Sequence, residues 1–326
     1  MTRLEDAQRS FEEEERLPSG LRFLSHLWAN VRHPPPTVRR FLTNPLSMAG
    51  MILVFLFTLV AIFAPFVAPP ERPREPYRIP RDGFKAEPQA PSAEHIWGTT
   101  EGQYDVFYAT VWGTRTAFRV GLIITGATVA IGLLMGTVAG FYGGWIDEIL
   151  MRVVEIFMGF PFLLAALTMS VVLQPIFGRS LVTGMIALIT FGWPTYARLI
   201  RGDVLTVKER EYVLAARVLG ANDVRIMLRH VIPNAIFPTL VVGSMDIGTY
   251  VITFSALSFL GVGEEAGYAD WGQMISFARN WIPLLHRYWW ILVFPGGAIL
   301  LFCLSWNLIG DAFRDVLDPR LRRMRK

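Results

Sequence analysis

The stretch KEREYVLAARVLGANDVRIMLRHVIPN, Lys208–Asn234, decides how this chain is read. It is polar and basic, and it lies between two long apolar runs. Tyr212, Ala215, Ala216 and Leu219 follow the i, i+3, i+4, i+7 spacing of one helical face. The two alanines on that face let a partner surface approach closely. Gly220 suits a helix stop, and Asn222 suits the N-cap of a second short helix over Asp223–His230. Pro233 suits the first turn of the apolar run that follows. The spacing predicts a helix–turn–helix knob rimmed by Glu209, Arg210, Glu211, Arg217, Arg225 and Arg229. A knob that docks another protein is the favoured reading. A solvated loop is the alternative.

Composition places the knob in a membrane protein. The 326 residues are 52% hydrophobic and only 18% charged, with a mean hydropathy of +0.39. Soluble domains carry about 25% charged residues. The sequence pI near 9.4 does not indicate nucleic acid, because the basic residues flank apolar runs as topology signals do. The single cysteine, Cys303, excludes a disulfide within the chain. The first apolar run begins near Leu46, after the acidic block Glu12–Glu15, and reads as an uncleaved first span.

Six runs are long enough to cross a bilayer core of about 30 Å, which takes roughly 20 helical residues. They are Leu46–Val67, Phe118–Gly140, Ile149–Leu173, Leu181–Ile200, Asn234–Leu260 and Trp289–Ile309. None alternates with period two, and open sheets cannot span lipid. The expected fold is therefore an all-α polytopic membrane protein with six transmembrane helices. With the N-terminus inside, the inner segments carry 21 Lys and Arg and the outer segments 9. That bias puts both termini and the knob in the cytoplasm.

The organisation follows: 1–45 a cytoplasmic tail, 46–68 the first transmembrane helix, 69–117 an external loop, 118–310 a five-helix core, and 311–326 a cytoplasmic tail. The core contains the cytoplasmic loop 201–232. In the first tail, Leu21, Leu24, Leu27, Trp28 and Val31 approach helical spacing, so an interfacial helix and a loose tail are equally open. Pro34–Pro36 form a stiff spacer, and Arg39-Arg40 anchor the first span. The seven prolines of Pro69–Pro91 predict an extended strap. Aromatic residues in Ala93–Trp112 suit a short helix at the outer interface.

Within the spans, Gly132, Gly136 and Gly140 make a smooth stripe for close helix packing, with Gly144 continuing the series. Pro161 follows Gly159-Phe160 and Pro194 follows Gly192-Trp193, so kinks are expected at both. Such kinks either line a cavity or are fixed bends. Asp246 lies near mid-membrane depth, where an acid faces a wet path or the bundle interior. It either meets a cationic substrate group or is a structural acid. Glu155 is shallower and reads as structural.

The knob resembles the EAA loop of the membrane subunits of ABC importers. That pattern runs Glu-Ala-Ala, three residues, Gly, nine residues, Ile-x-Leu-Pro. Here Leu214 stands at the Glu position, His230 at the Ile position, and Ile232-Pro233 at the close. Other matches are His95-Ile-Trp-Gly98-Thr99, Gly140-Phe-Tyr-Gly143-Gly144, Gly159-Phe-Pro161, Gly192-Trp-Pro194-x-Tyr-Ala-Arg198, Leu257-Ser-Phe-Leu-Gly261, Asn307-Leu-Ile-Gly310-Asp311 and Arg314-Asp-x-Leu-Asp318-Pro319. Together, over roughly Arg39–Arg320, they resemble the C-type permease of dipeptide/oligopeptide importers.

The resemblance implies a type I ABC importer permease fold in the plasma membrane of a prokaryote. It implies a second homologous permease chain, two cytoplasmic ATPase subunits and an external substrate-binding protein as partners. ATP and Mg would sit on the ATPase subunits, with no cofactor on this chain. Glu211, Tyr212, Ala215, Ala216, Arg217, Leu219 and Gly220 would couple to the ATPase, and Asp246 and Pro194 would border the pathway. Peptides are the first-choice substrate, with nickel and oligosaccharides as alternatives within the family.

Two readings of other classes stay on the page. A proton-coupled secondary transporter could use Asp246, but it leaves the knob unexplained. A membrane hydrolase lacks support, since the chain has no HExxH or GxSxG and its five histidines make no metal spacing. No catalytic or metal-binding residue is expected.

Overall fold

The computed structural model describes residues 44–83 and 85–317. The expected interfacial helix around Leu21–Val31, the proline spacer, Arg39-Arg40 and the tail from residue 318 lie outside the described residues. The described residues form helices joined by turns, with three isolated β-bridges and no strand.

In chain order the helices are α1 (Pro45–Val67), α2 (Val106–Tyr142), α3 (Gly144–Met158), α4 (Phe162–Phe177), α5 (Leu181–Val207), α6 (Glu211–Val218), α7 (Asp223–Ile226), α8 (Ile232–Ala235), α9 (Phe237–Phe259), α10 (Trp271–Ala278), α11 (Leu285–Tyr288) and α12 (Trp290–Leu317). Among the described residues, α1, α2, α9 and α12 are long and apolar enough to cross a membrane. A fifth crossing exists if α3 and α4 are taken as one broken span.

Four or five of the six expected spans are thus met by length and composition. The run Ile149–Leu173 is not one helix but two, bent by 87° at Gly159–Pro161. Pro161 has no N–H to give, and its ring opposes the preceding turn. The run from Leu181 does form a continuous helix of 27 residues through Pro194, but it lacks the apolar density of the other four. It carries Thr183, Thr190, Thr195, Tyr196 and Arg198, and half its length is buried against other helices. A helix wrapped by protein does not need an all-apolar surface.

α2 is the scaffold. Its 37 residues extend roughly 55 Å, well beyond a bilayer core. Its most extensive packing is against α5. The glycine stripe makes that approach: a Cβ on Gly132 would strike Tyr196, one on Gly136 the backbone of Ala197, and one on Gly140 the carbonyl of Arg201. Gly144 does not continue the stripe. Gly143 and Gly144 have φ of +68° and +55°, so they form the left-handed turn between α2 and α3. Behind this pair, α9 packs on α12, and α12 on α1.

Between α1 and α2, residues 68–83 and 85–105 form a strap without helix, as the prolines predict. It is tied to the body rather than loose. Ile79 N–H donates to Gly267 O at 2.8 Å, and Ala269 N–H to Tyr77 O at 2.7 Å. Trp112 Nε1–H donates to Ala68 O at 2.9 Å, and Trp290 Nε1–H to Thr99 O at 3.1 Å. Tyr77 stacks on Tyr268 with ring centres 5.4 Å apart. The separate short helix expected within Ala93–Trp112 is absent. Asp105 caps α2 directly, accepting from Tyr108 N–H at 2.7 Å, so only the end of that segment, from Val106, is helical, as the first turns of α2. Burial pushes the Asp270 carboxyl up, against the N-cap bonds it takes from Gly272 and Gln273.

Candidate functional site

Two places hold the residues singled out by sequence. The first is a cavity of about 210 Å³ at the break between α3 and α4. Asp246 lies on it, nine residues into α9, or roughly 14 Å from the start of that helix. Its Oδ2 accepts from Tyr196 Oη–H at 2.5 Å, and Thr249, three residues on, lines the same cavity. Tyr196 comes from α5, so the carboxylate bridges α5 and α9 from inside. No Lys, Arg or His among the described residues lines the cavity.

Pro194 is buried inside α5 and does not line the cavity, although Gly192, Thr195 and Tyr196 beside it do. α5 runs through Pro194 unbroken. The sequence reading missed the aromatic wall. Phe157 and Phe160 reach Phe191 at 5.6 and 6.4 Å between ring centres, and Phe162 reaches Tyr250 at 6.4 Å. The signal was present, since both proline motifs are flanked by aromatic residues. Glu155 faces outward and pairs with Arg152 at 3.1 Å on the surface of α3.

The second place is the knob. α6 covers Glu211–Val218 and ends in a Schellman motif. Ala221 N–H donates to Ala216 O at 3.1 Å and Gly220 N–H to Arg217 O at 3.0 Å, with Gly220 at φ +81°. Asn222 Oδ1 then accepts from Arg225 N–H at 2.9 Å and caps α7. The second helix is shorter than expected, because α7 passes after Ile226 into a wide π turn over Met227–Val231. Pro233 sits in the first turn of α8, while α9 starts at Phe237 with Pro238 in its own first turn.

The outward face differs in one position from the one predicted. Val213 is fully buried against Phe141, Ile200 and Val204, and Ala216, three residues on, turns to the same cluster. Tyr212, Ala215, Leu219, Glu211 and Gly220 are exposed. Leu214 joins them, and Val218 and Leu219 are each 87% exposed. Arg217 is exposed and places its guanidinium 5.8 Å from the Phe141 ring, tying α6 to the end of α2. The knob is thus anchored by Val213, Ala216, Ile226 and Val231, and presents aliphatic side chains away from the bundle.

A family model described as binding-protein-dependent transport system inner membrane component matches residues 129–323, which hold the cavity and the knob. The chain belongs to that family. A second model, the N-terminal TM domain of oligopeptide transport permease C, matches residues 37–82 of the permease. The permease is 37% identical to the oligopeptide transport system permease protein of Bacillus subtilis over 87% of this chain and 88% of the relative. It is 38% identical to that organism's dipeptide transport system permease protein, covering 87% and 85% of the two chains. A glutathione transport system permease protein of Pectobacterium atrosepticum is 34% identical, over 87% and 90%. The fold resembles an inward-facing methionine ABC transporter structure, with TM-score 0.52, 20% identity, and coverage of 65% of this chain and 98% of that one. Chains of this family are permease subunits of ABC importers, not themselves enzymes.

Proposed function

We propose that this permease imports peptides and forms half of their path across the plasma membrane of a prokaryote. Relatives at 34–38% identity over more than four fifths of the chain, named for dipeptide and oligopeptide transport, carry this reading. A second homologous permease supplies the other half, an external substrate-binding protein delivers the peptide, and two cytoplasmic subunits hold ATP and Mg. α5 and the broken pair α3/α4 complete six crossings, with both termini inside. The basic-residue bias supports that orientation.

The outward face of α6 is the ATPase contact. Aliphatic side chains as exposed as Val218 and Leu219 on an aqueous surface mark an interaction site. Asp246 and the aromatic wall border the path, since an acid at that depth is usually functional. Pro194 acts indirectly, by shaping the α5 segment that carries Gly192 and Tyr196 to the cavity.

The test is uptake of a labelled peptide into proteoliposomes holding this chain, the second permease and the ATPases, with the binding protein added. Uptake that needs ATP and all partners is expected. Uptake by this chain alone, driven by a pH gradient, would overturn the importer reading in favour of a proton-coupled carrier.

A further inference from the structure

The cavity at the α3/α4 break has a chemistry more specific than a polar path. It holds one carboxylate, from Asp246, and no basic side chain among the described residues. Six aromatic rings line it: Phe157, Phe160, Phe162, Phe191, Tyr196 and Tyr250. The Tyr196 hydroxyl engages the carboxylate but brings no charge to it. A carboxylate at such a depth is stable only with a counter-charge or a proton. Aromatic faces attract cations within about 6 Å, most strongly where water is excluded. Carboxylate and rings therefore ask for the same thing, a small cation with an apolar neighbourhood. The volume of about 210 Å³ lies below the roughly 300–1,000 Å³ of a drug-sized ligand site. It takes a head group and a side chain, not an extended oligopeptide.

We propose that this cavity is a transit site for a primary ammonium group, of the kind at a peptide's amino terminus or on a lysyl side chain. The ammonium sits between the Asp246 carboxylate and the ring faces of Phe160, Phe162 and Tyr250. The inference rests on the importer reading and adds to it a selectivity exerted by the membrane subunit itself. Gly192 makes room for the arrangement, because the Tyr250 hydroxyl lies where a side chain there would project.

The test uses the purified complex of both permeases and the ATPases without the binding protein, so that only membrane-subunit selectivity is read. Binding of trialanine, N-acetyl-trialanine and an N-acetylated peptide containing lysine is measured by thermal shift across a concentration series. Trialanine is expected to bind about tenfold more tightly than its acetylated form. Recovery of binding by the lysine peptide would show that either source of ammonium is accepted, and no recovery would restrict the site to the α-ammonium. Asp246→Asn should erase the preference and Asp246→Glu should keep part of it. Phe160→Ala, at the exposed corner of the break, should reduce it severalfold without disturbing assembly. Equal binding of trialanine and its acetylated form would overturn the site. So would a preference that survives Asp246→Asn. If Asp246→Asn prevents assembly while Phe160→Ala keeps the full preference, the acid serves the subunit interface and the site is likewise overturned. ATP-driven uptake by a wild-type complex that shows no amine preference would remove this inference and leave the importer reading standing.

Discussion

Leu214 stands where the importer motif has glutamate, and its surroundings give the change a meaning. It is exposed on α6 one turn before Val218, which is more exposed still. In place of the motif's charge stands the edge of an aliphatic patch. The surface that receives it should then be apolar, because an unpaired charge buried there costs more than the roughly 2–7 kcal/mol of an unpaired amide or hydroxyl. Leu214→Glu is therefore expected to weaken ATPase binding at least fivefold while leaving the permease inserted and folded. Titration of the ATPase onto the purified permease pair measures this, and unchanged affinity would remove α6 from the interface. Ala216 is a poor probe of the same surface, because it packs against Val213 and the ends of α2 and α5. A long side chain there would disturb the bundle first.

At the scale of elements, the knob is held in one orientation by its turn. Gly220 has φ +81° and no heavy atom near the place a Cβ would occupy. The constraint is therefore conformational rather than steric, and left-handed backbone costs an L-residue about 1–2 kcal/mol. Gly220→Val should lower the melting temperature of the purified permease slightly and its ATP-coupled uptake more, because α6 can no longer meet the ATPase at the angle set by the Schellman turn. Equal transport by this variant and wild type would show that the knob's orientation is not limiting. The α3/α4 break is the other element that matters. An 87° bend leaves backbone groups without helical partners, which a bilayer tolerates only where protein or a water-filled cavity receives them. The cavity beside the break is consistent with that requirement.

For the whole molecule, the strap and the knob lie at opposite ends of the bundle. The strap bonds to the α9–α10 connection, and the knob packs on the ends of α2 and α5. The expected topology has Arg81 outside and Lys208 inside. In a Cys303→Ala background, a cysteine at Arg81 should react with an impermeant maleimide in intact cells, and one at Lys208 only after the membrane is opened. Labelling of the Lys208 site in intact cells would reverse the orientation and separate the knob from any cytoplasmic ATPase.

Membrane class, the long apolar runs and the knob with its Gly220 stop and Asn222 cap were legible in the sequence by itself. Each depends on local properties: apolar length against bilayer thickness, helical spacing, and the conformations that glycine and asparagine favour. The break of the third run, the inward turn of Ala216 and the joining of Asp246 to Tyr196 were decided only by the tertiary structure. Periodicity tells that residues share a face but not which neighbour that face meets. A proline can kink a helix, as at Pro161, or be carried through it, as at Pro194. The outcome depends on the helices that surround it. The aromatic wall needed the fold for the same reason, because its rings come from three separate segments, Phe157–Phe162, Phe191–Tyr196 and Asp246–Tyr250, which meet only once α5 and α9 have packed around the break.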